Sequence, residues 1–108
     1  MRRIEVAYQM TVLYNHPEDP AAFDAHYDNV HAPLAAKLPG LRGYTVIRPV
    51  ARGDEKPPYH LIATLTFDDE AAAQAALASE EGQKAVADLA NFAQAGATTL
   101  VGTVTTVV

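Results

Sequence analysis

The chain has 108 residues, 49% apolar and 19% charged, with a formal net charge of -5 at pH 7. That length supports one domain with its own core and leaves no room for a second. The eight Lys and Arg are scattered in an acidic chain, which excludes the footprint of a nucleic-acid binder, and the absence of cysteine excludes disulfides, thiolate nucleophiles and Cys-based metal sites.

No stretch has the length of a membrane span. Met1-Arg2-Arg3 is basic, but it is followed by alternation and not by an apolar run. The expectation is therefore no signal peptide, no membrane partner and a cytoplasmic location. Residues 4–14 carry Ile4, Val6, Tyr8, Met10, Val12 and Tyr14 at period two, which predicts a first strand. Met10 is a second candidate start, which would make residues 1–9 an extension of the natural core.

Residues 15–20 form a turn. Asp19 is placed to cap a helix and Pro20 to begin it. That helix is expected to run to about Leu38, burying Phe23, Tyr27, Val30, Leu34 and Leu38 at helical spacing. Pro33 interrupts it and predicts a kink, because proline removes a donor and crowds the preceding turn. Pro39-Gly40 ends it. A second strand is expected within 41–50, a polar loop over 51–58, and a third strand over 59–67 that completes a hairpin. Asp68 is expected to cap a helix over 71–78, and Ser79 a further piece carrying Val86, Leu89 and Phe92. Thr98 to Val108 is the fourth strand.

The order β-α-β-β-α-(α)-β is that of a ferredoxin-like α+β domain, a four-stranded antiparallel sheet with helices on one face. The strands are apolar or weakly polar on both faces. In the third, Leu61, Ala63, Leu65 and Phe67 oppose His60, Ile62, Thr64 and Thr66. In the fourth, Leu100 and Val104 oppose Val101 and Val107. A bare face of that kind predicts a homodimer. The alternative is a monomer with a solvated, Thr-rich face.

Chemistry concentrates on the first helix. His31 stands at the edge of its buried stripe, with Asp24 and Asp28 on the flank within reach. A carboxylate partner would fix the tautomer of such a histidine, and an adjoining cavity would let it act as general acid or base. The plainer reading is a histidine that bonds a neighbour and does no chemistry. His26 points elsewhere, towards solvent. The histidines form no metal-ligand spacing, and no metal or cofactor is expected. Tyr8, Tyr14, Tyr27, Tyr44 and Tyr59 lie on predicted core elements. They can either line a ligand pocket or simply pack. Arg42 and Arg48 are candidates for surface ion pairs.

At this helix the sequence resembles a known family. Tyr27-x-x-x-His31-x-Pro33-Leu34, followed by Pro39-Gly40-Leu41-x-x-Tyr44, is similar to the signature of the EthD-like proteins, named for ethyl tert-butyl ether degradation. Val12-Leu13-Tyr14 and Glu80-x-Gly82 agree with it, and the resemblance covers nearly the whole chain. It implies a ferredoxin-like subunit whose dimer forms an α/β barrel, with His31 as the characteristic polar residue of a pocket between helix and sheet. Related barrels include cofactor-free monooxygenases, haem-degrading oxygenases and lactone isomerases.

Three readings remain open at this level. In the first, a small hydrophobic or aromatic metabolite binds beside His31 as general acid/base, with Tyr14, Tyr27, Tyr44 and Asp28 at the substrate. The chemistry is then that of a cofactor-free oxidoreductase, monooxygenase or isomerase. In the second, the protein is a non-catalytic binder or an accessory to a pathway oxygenase. A third reading has His31 ligating haem iron.

Overall fold

The computed structural model describes residues 6–108. Strand β1 (Val6–Tyr14) lies inside the sheet, flanked by β3 (Leu61–Phe67) and β4 (Ala97–Thr105), with β2 (Gly43–Ile47) beyond β3. The order is β2-β3-β1-β4 and every pairing is antiparallel. Ile4, at the head of the expected strand, lies outside the described residues.

Alternation decides which side chains meet the helices. In β3, Leu61, Ala63, Leu65 and Phe67 are buried, while Ile62, Thr64 and Thr66 face the other way and are half-buried. Register carries the same split across the sheet. Met10 pairs with Leu65 and Val101, and Leu65 pairs with Tyr44, so these four share the helix-covered face. Burying a leucine or phenylalanine contributes about 1.5–3 kcal/mol each, and β3 supplies Leu61, Leu65 and Phe67.

The first helical segment begins as read. Asp19 accepts from the Ala22 amide at 3.1 Å and Pro20 opens α1 (Pro20–His26). A π-helical turn follows over Tyr27–His31, and α2 (Ala32–Ala35) ends the segment before Leu38. The interruption stands immediately before Pro33, which has no amide to donate and crowds the carbonyl one turn back. It changes which residues face inward. Phe23, Tyr27, His31 and Ala35 are buried at steps of four, whereas Val30 is 40% exposed and Leu34 only half-buried. The expected stripe is corrected at those two positions.

On the second half of the chain, α3 (Glu70–Ala78) is capped by Asp69, not Asp68, through the Ala72 amide at 2.8 Å. Asp68 instead meets Arg42 at 3.2 Å. Ser79 caps α4 (Glu80–Phe92) by accepting from the Gly82 amide. The buried face of α4 is Gly82, Ala85, Asp88 and Phe92, so the expected Val86 is replaced by its neighbour. Gly82 sits so close to the end of α3 that a Cβ there would lie 2.2 Å from the Ala76 carbonyl oxygen.

The helices cover β1 and β3 and leave β4 bare. Leu100 on one face of β4 and Val101 on the other are 58% and 57% exposed. Val107 lies beyond the end of the strand. Among the described residues no helix is long and apolar enough to cross a membrane.

Candidate active site between helix and sheet

The aromatic side chains of α1 and its π turn meet the sheet at Tyr14. Its ring packs edge-on against Phe23 at 5.5 Å and Tyr27 at 5.8 Å, and Phe92 of α4 joins at 5.7 Å. Beside this cluster, between the helices and the sheet, is a cavity of about 510 Å³. Its polar wall is His31, Tyr14, Tyr27, Tyr44 and Thr99. The rest is apolar, and among the described residues no Lys, Arg, Asp or Glu lines it.

The π turn puts His31 one full inward step beyond Tyr27, and α4 brings Asp88 to meet it. His31 Nδ1 lies 3.0 Å from Asp88 Oδ2. The same carboxylate receives Asn91 Nδ2 at 3.0 Å and His26 Nε2 at 2.9 and 3.0 Å. Burial raises the Asp88 pKa, but the hydrogen bonds from Asn91, His26 and His31 outweigh it and hold the group below its ordinary value. Burial lowers the His31 pKa, more than its bond to Asp88 raises it. At neutral pH the pair is thus a carboxylate and a neutral imidazole. The imidazole donates from Nδ1, which leaves the lone pair on Nε2.

Among the described residues Nε2 of His31 has no hydrogen-bond partner, and no buried polar side-chain atom is left sealed and unpaired. That nitrogen therefore reaches the cavity that His31 lines. The Tyr27 ring lies 5.3 Å from that of His31, and the hydroxyls of Tyr27 and Tyr44 lie 2.5 Å apart. Two hydroxyls sharing one hydrogen bond commit one proton and keep the other for a ligand acceptor. Burial pushes the pKa values of Tyr14, Tyr27 and Tyr44 up, so at neutral pH these groups donate hydrogen bonds and do not ionise.

Of the residues expected at the site, His31, Tyr14, Tyr27 and Tyr44 converge on the cavity. Asp28 does not. It lies on the exposed flank of the π turn and binds Arg48 at 2.7 Å, while Asp24 binds Arg48 at 3.3 Å and His60 at 2.8 Å. The rotation that buries His31 turns both acids outward. His26, expected in solvent, is drawn in by Asp88. Asp88 is what sequence reasoning missed. The signal was an aspartate in the inward row of α4, between Ala85 and Phe92.

An antiparallel β2-β3-β1-β4 sheet with helices and a cavity on one face defines a ferredoxin-like α+β fold, the fold shared with a dimeric ferredoxin-like protein of Thermobifida fusca. Within that class the chain belongs to the EthD domain family, whose model matches residues 15–96. An uncharacterized 11.0 kDa protein from the thcB-thcC intergenic region of Rhodococcus erythropolis is 43% identical over 93 residues, covering 86% of this chain and 90% of that one. An EthD family protein of Bacillus halodurans is 36% identical, with a TM-score of 0.84 over 89% of this chain and 96% of its own. SnoaB, a cofactor-independent oxygenase of Streptomyces nogalater, shares the fold at 20% identity, with a TM-score of 0.60 over 96% of this chain and 95% of its own.

Proposed function

We propose that the cavity binds a small, uncharged hydrophobic or aromatic metabolite and that His31 acts on it as a general acid/base without a cofactor. The observation that carries this reading is the free Nε2 of His31, held towards an apolar cavity by the Nδ1 contact to Asp88. The absence of charge on the cavity wall favours a neutral ligand, because a buried ion would have no partner there. Tyr27 and Tyr44 supply the hydrogen bond that orients a ligand oxygen, and Tyr14 forms part of the wall. The step is removal of a proton from a weakly acidic O–H or C–H by Nε2 and its return elsewhere on the ligand, as in an isomerase. Alternatively, the electron-rich anion passes its electrons to dioxygen, as in a cofactor-free oxidoreductase or monooxygenase. The shared fold with a cofactor-independent oxygenase supports the second route.

The reading includes a homodimer in the cytoplasm. Among the described residues the outer edge of β4 is unpaired, and Leu100, Val101 and Ile47 expose large apolar side chains. A second copy would cover them.

Oxygen uptake with 1,4-dihydroxynaphthalene tests the chemistry: two electrons and two protons pass to dioxygen, giving a quinone and hydrogen peroxide. His31→Gln is expected to lower the protein-dependent rate by about 10²–10⁴-fold while quenching titrations show the ligand still bound. An unchanged rate would remove His31 from the mechanism. Binding without protein-dependent turnover in either form would favour an accessory protein that holds a pathway intermediate.

A further inference from the structure

The Asp88 carboxylate is shared between two histidines that face different spaces. His31 lines the cavity between helices and sheet. His26 lines an outer groove of about 630 Å³, together with Phe92, Glu18, Asp19 and Asn91. The His26 ring stacks on Phe92 at 5.1 Å and 21°, and the His31 ring lies 4.8 Å from the same phenyl group. Phe92 thus packs against both rings, and the polar connection between them is the carboxylate. His26 is 25% exposed at its side chain and His31 8%.

We propose that His26 is a positioning residue of the site: from the outer groove, acting through Asp88, its charge sets how strongly His31 holds a proton inside the cavity. This rests on reading His31 as the cavity base. One carboxylate stabilises one adjacent imidazolium well and two poorly. A proton on His26 offsets the Asp88 charge and adds a positive charge nearby, so it opposes a proton on His31. The charge of His26 lowers the proton affinity of His31, in keeping with this. The other titratable groups around the unit are Glu18 and Asp19 on the groove side and Tyr14, Tyr27 and Tyr44 on the cavity side. Asp24, Asp28 and Arg48 pair with one another on the outer flank of α1. Among the described residues no Lys or Arg lines the groove or the cavity, and His26 is the cationic group bonded to Asp88 beside His31.

The consequence is that conditions in the outer groove reach the cavity through the carboxylate. Protonation of His26 keeps His31 available as a base, and loss of that charge strengthens the grip of Asp88 on a proton at His31.

The test is NMR titration of the histidine rings in the full-length protein, with His31 assigned by comparison with His31→Gln. In His26→Gln, which keeps a donor for Asp88 but cannot charge, the His31 midpoint is expected to move to higher pH while His60 stays put. His26→Phe, which keeps the ring stacked on Phe92, is expected to move it the same way. In an Asp88→Asn background the effect of His26→Gln should shrink. An unmoved His31 midpoint in either His26 variant, or an undiminished effect without the carboxylate, would overturn the proposal. Failure of the base reading itself would appear separately, as oxygen uptake that His31→Gln leaves unchanged.

Discussion

At the scale of single residues, Asp88 and His31 tie the site to folding. Both hold fewer protons in the folded chain than in the unfolded one over part of the acid range. A lowered folded pKa means the unfolded state takes up the proton first, so stability rises with pH across that window. The contribution of His31 is present above its ordinary value of 6.5 and is lost as pH falls below it. That of Asp88 is present above its ordinary value of 3.8 and is lost as pH falls through its lower folded value. The urea midpoint is therefore expected to decline on acidification from pH 7.5, in two stages, and His31→Gln should remove the upper stage alone. A midpoint that rises between pH 7 and 5 would contradict this. Asp88→Ala leaves the buried Nδ1–H of His31 without its acceptor and is expected to cost about 1–3 kcal/mol in the same assay. His31 could be picked out from sequence because it sits beside a helical stripe ending in a proline. Its partner could not be paired with it, since 57 residues separate them and only the packing of α4 on the π turn joins them.

At the scale of elements, the strands were legible because period two leaves little choice once one face is buried. The observed β3 alternates as the sequence does, and register carries its buried face to Met10 and Tyr14 of β1. The π turn was not legible. An interrupted helix follows from Pro33, but the direction of the side chains beyond it depends on how the backbone absorbs the missing amide, and one added residue in the turn exchanges Val30 for His31 at the core. The close join of α3 and α4 offers a test in which two effects oppose each other. Helix propensity favours Ala over Gly by about 1 kcal/mol. Yet a Cβ at Gly82 would meet the Ala76 and Leu77 carbonyl oxygens at 2.2 and 2.5 Å, both backbone atoms. Gly82→Ala is expected to destabilise by about 2 kcal/mol or more, and a gain in thermal midpoint would refute the packing described for this corner. Ser79→Ala, which removes the cap of α4, should cost about 1 kcal/mol.

At the scale of the whole molecule, the surplus apolar surface is larger than patterning alone suggests. The far face of the sheet was expected to be bare, and β4 is exposed on the helix side as well. Its Thr99 and Val101 form part of the cavity wall, so a second copy seated along β4 would also close the pocket. Sedimentation at micromolar concentration is expected to show a pair of subunits, and Leu100→Lys should shift it towards single chains. Unchanged sedimentation of that variant would move the contact elsewhere.

Cavity, carboxylate and imidazole form one device only if the proton of His31 sits on the nitrogen facing Asp88. A long-range proton–nitrogen correlation spectrum of the labelled protein at neutral pH reads this directly. The expected result is a neutral His31 ring with hydrogen on Nδ1 and a bare Nε2. A ring protonated at Nε2, or at both nitrogens, would contradict the account, because no base would then face the cavity.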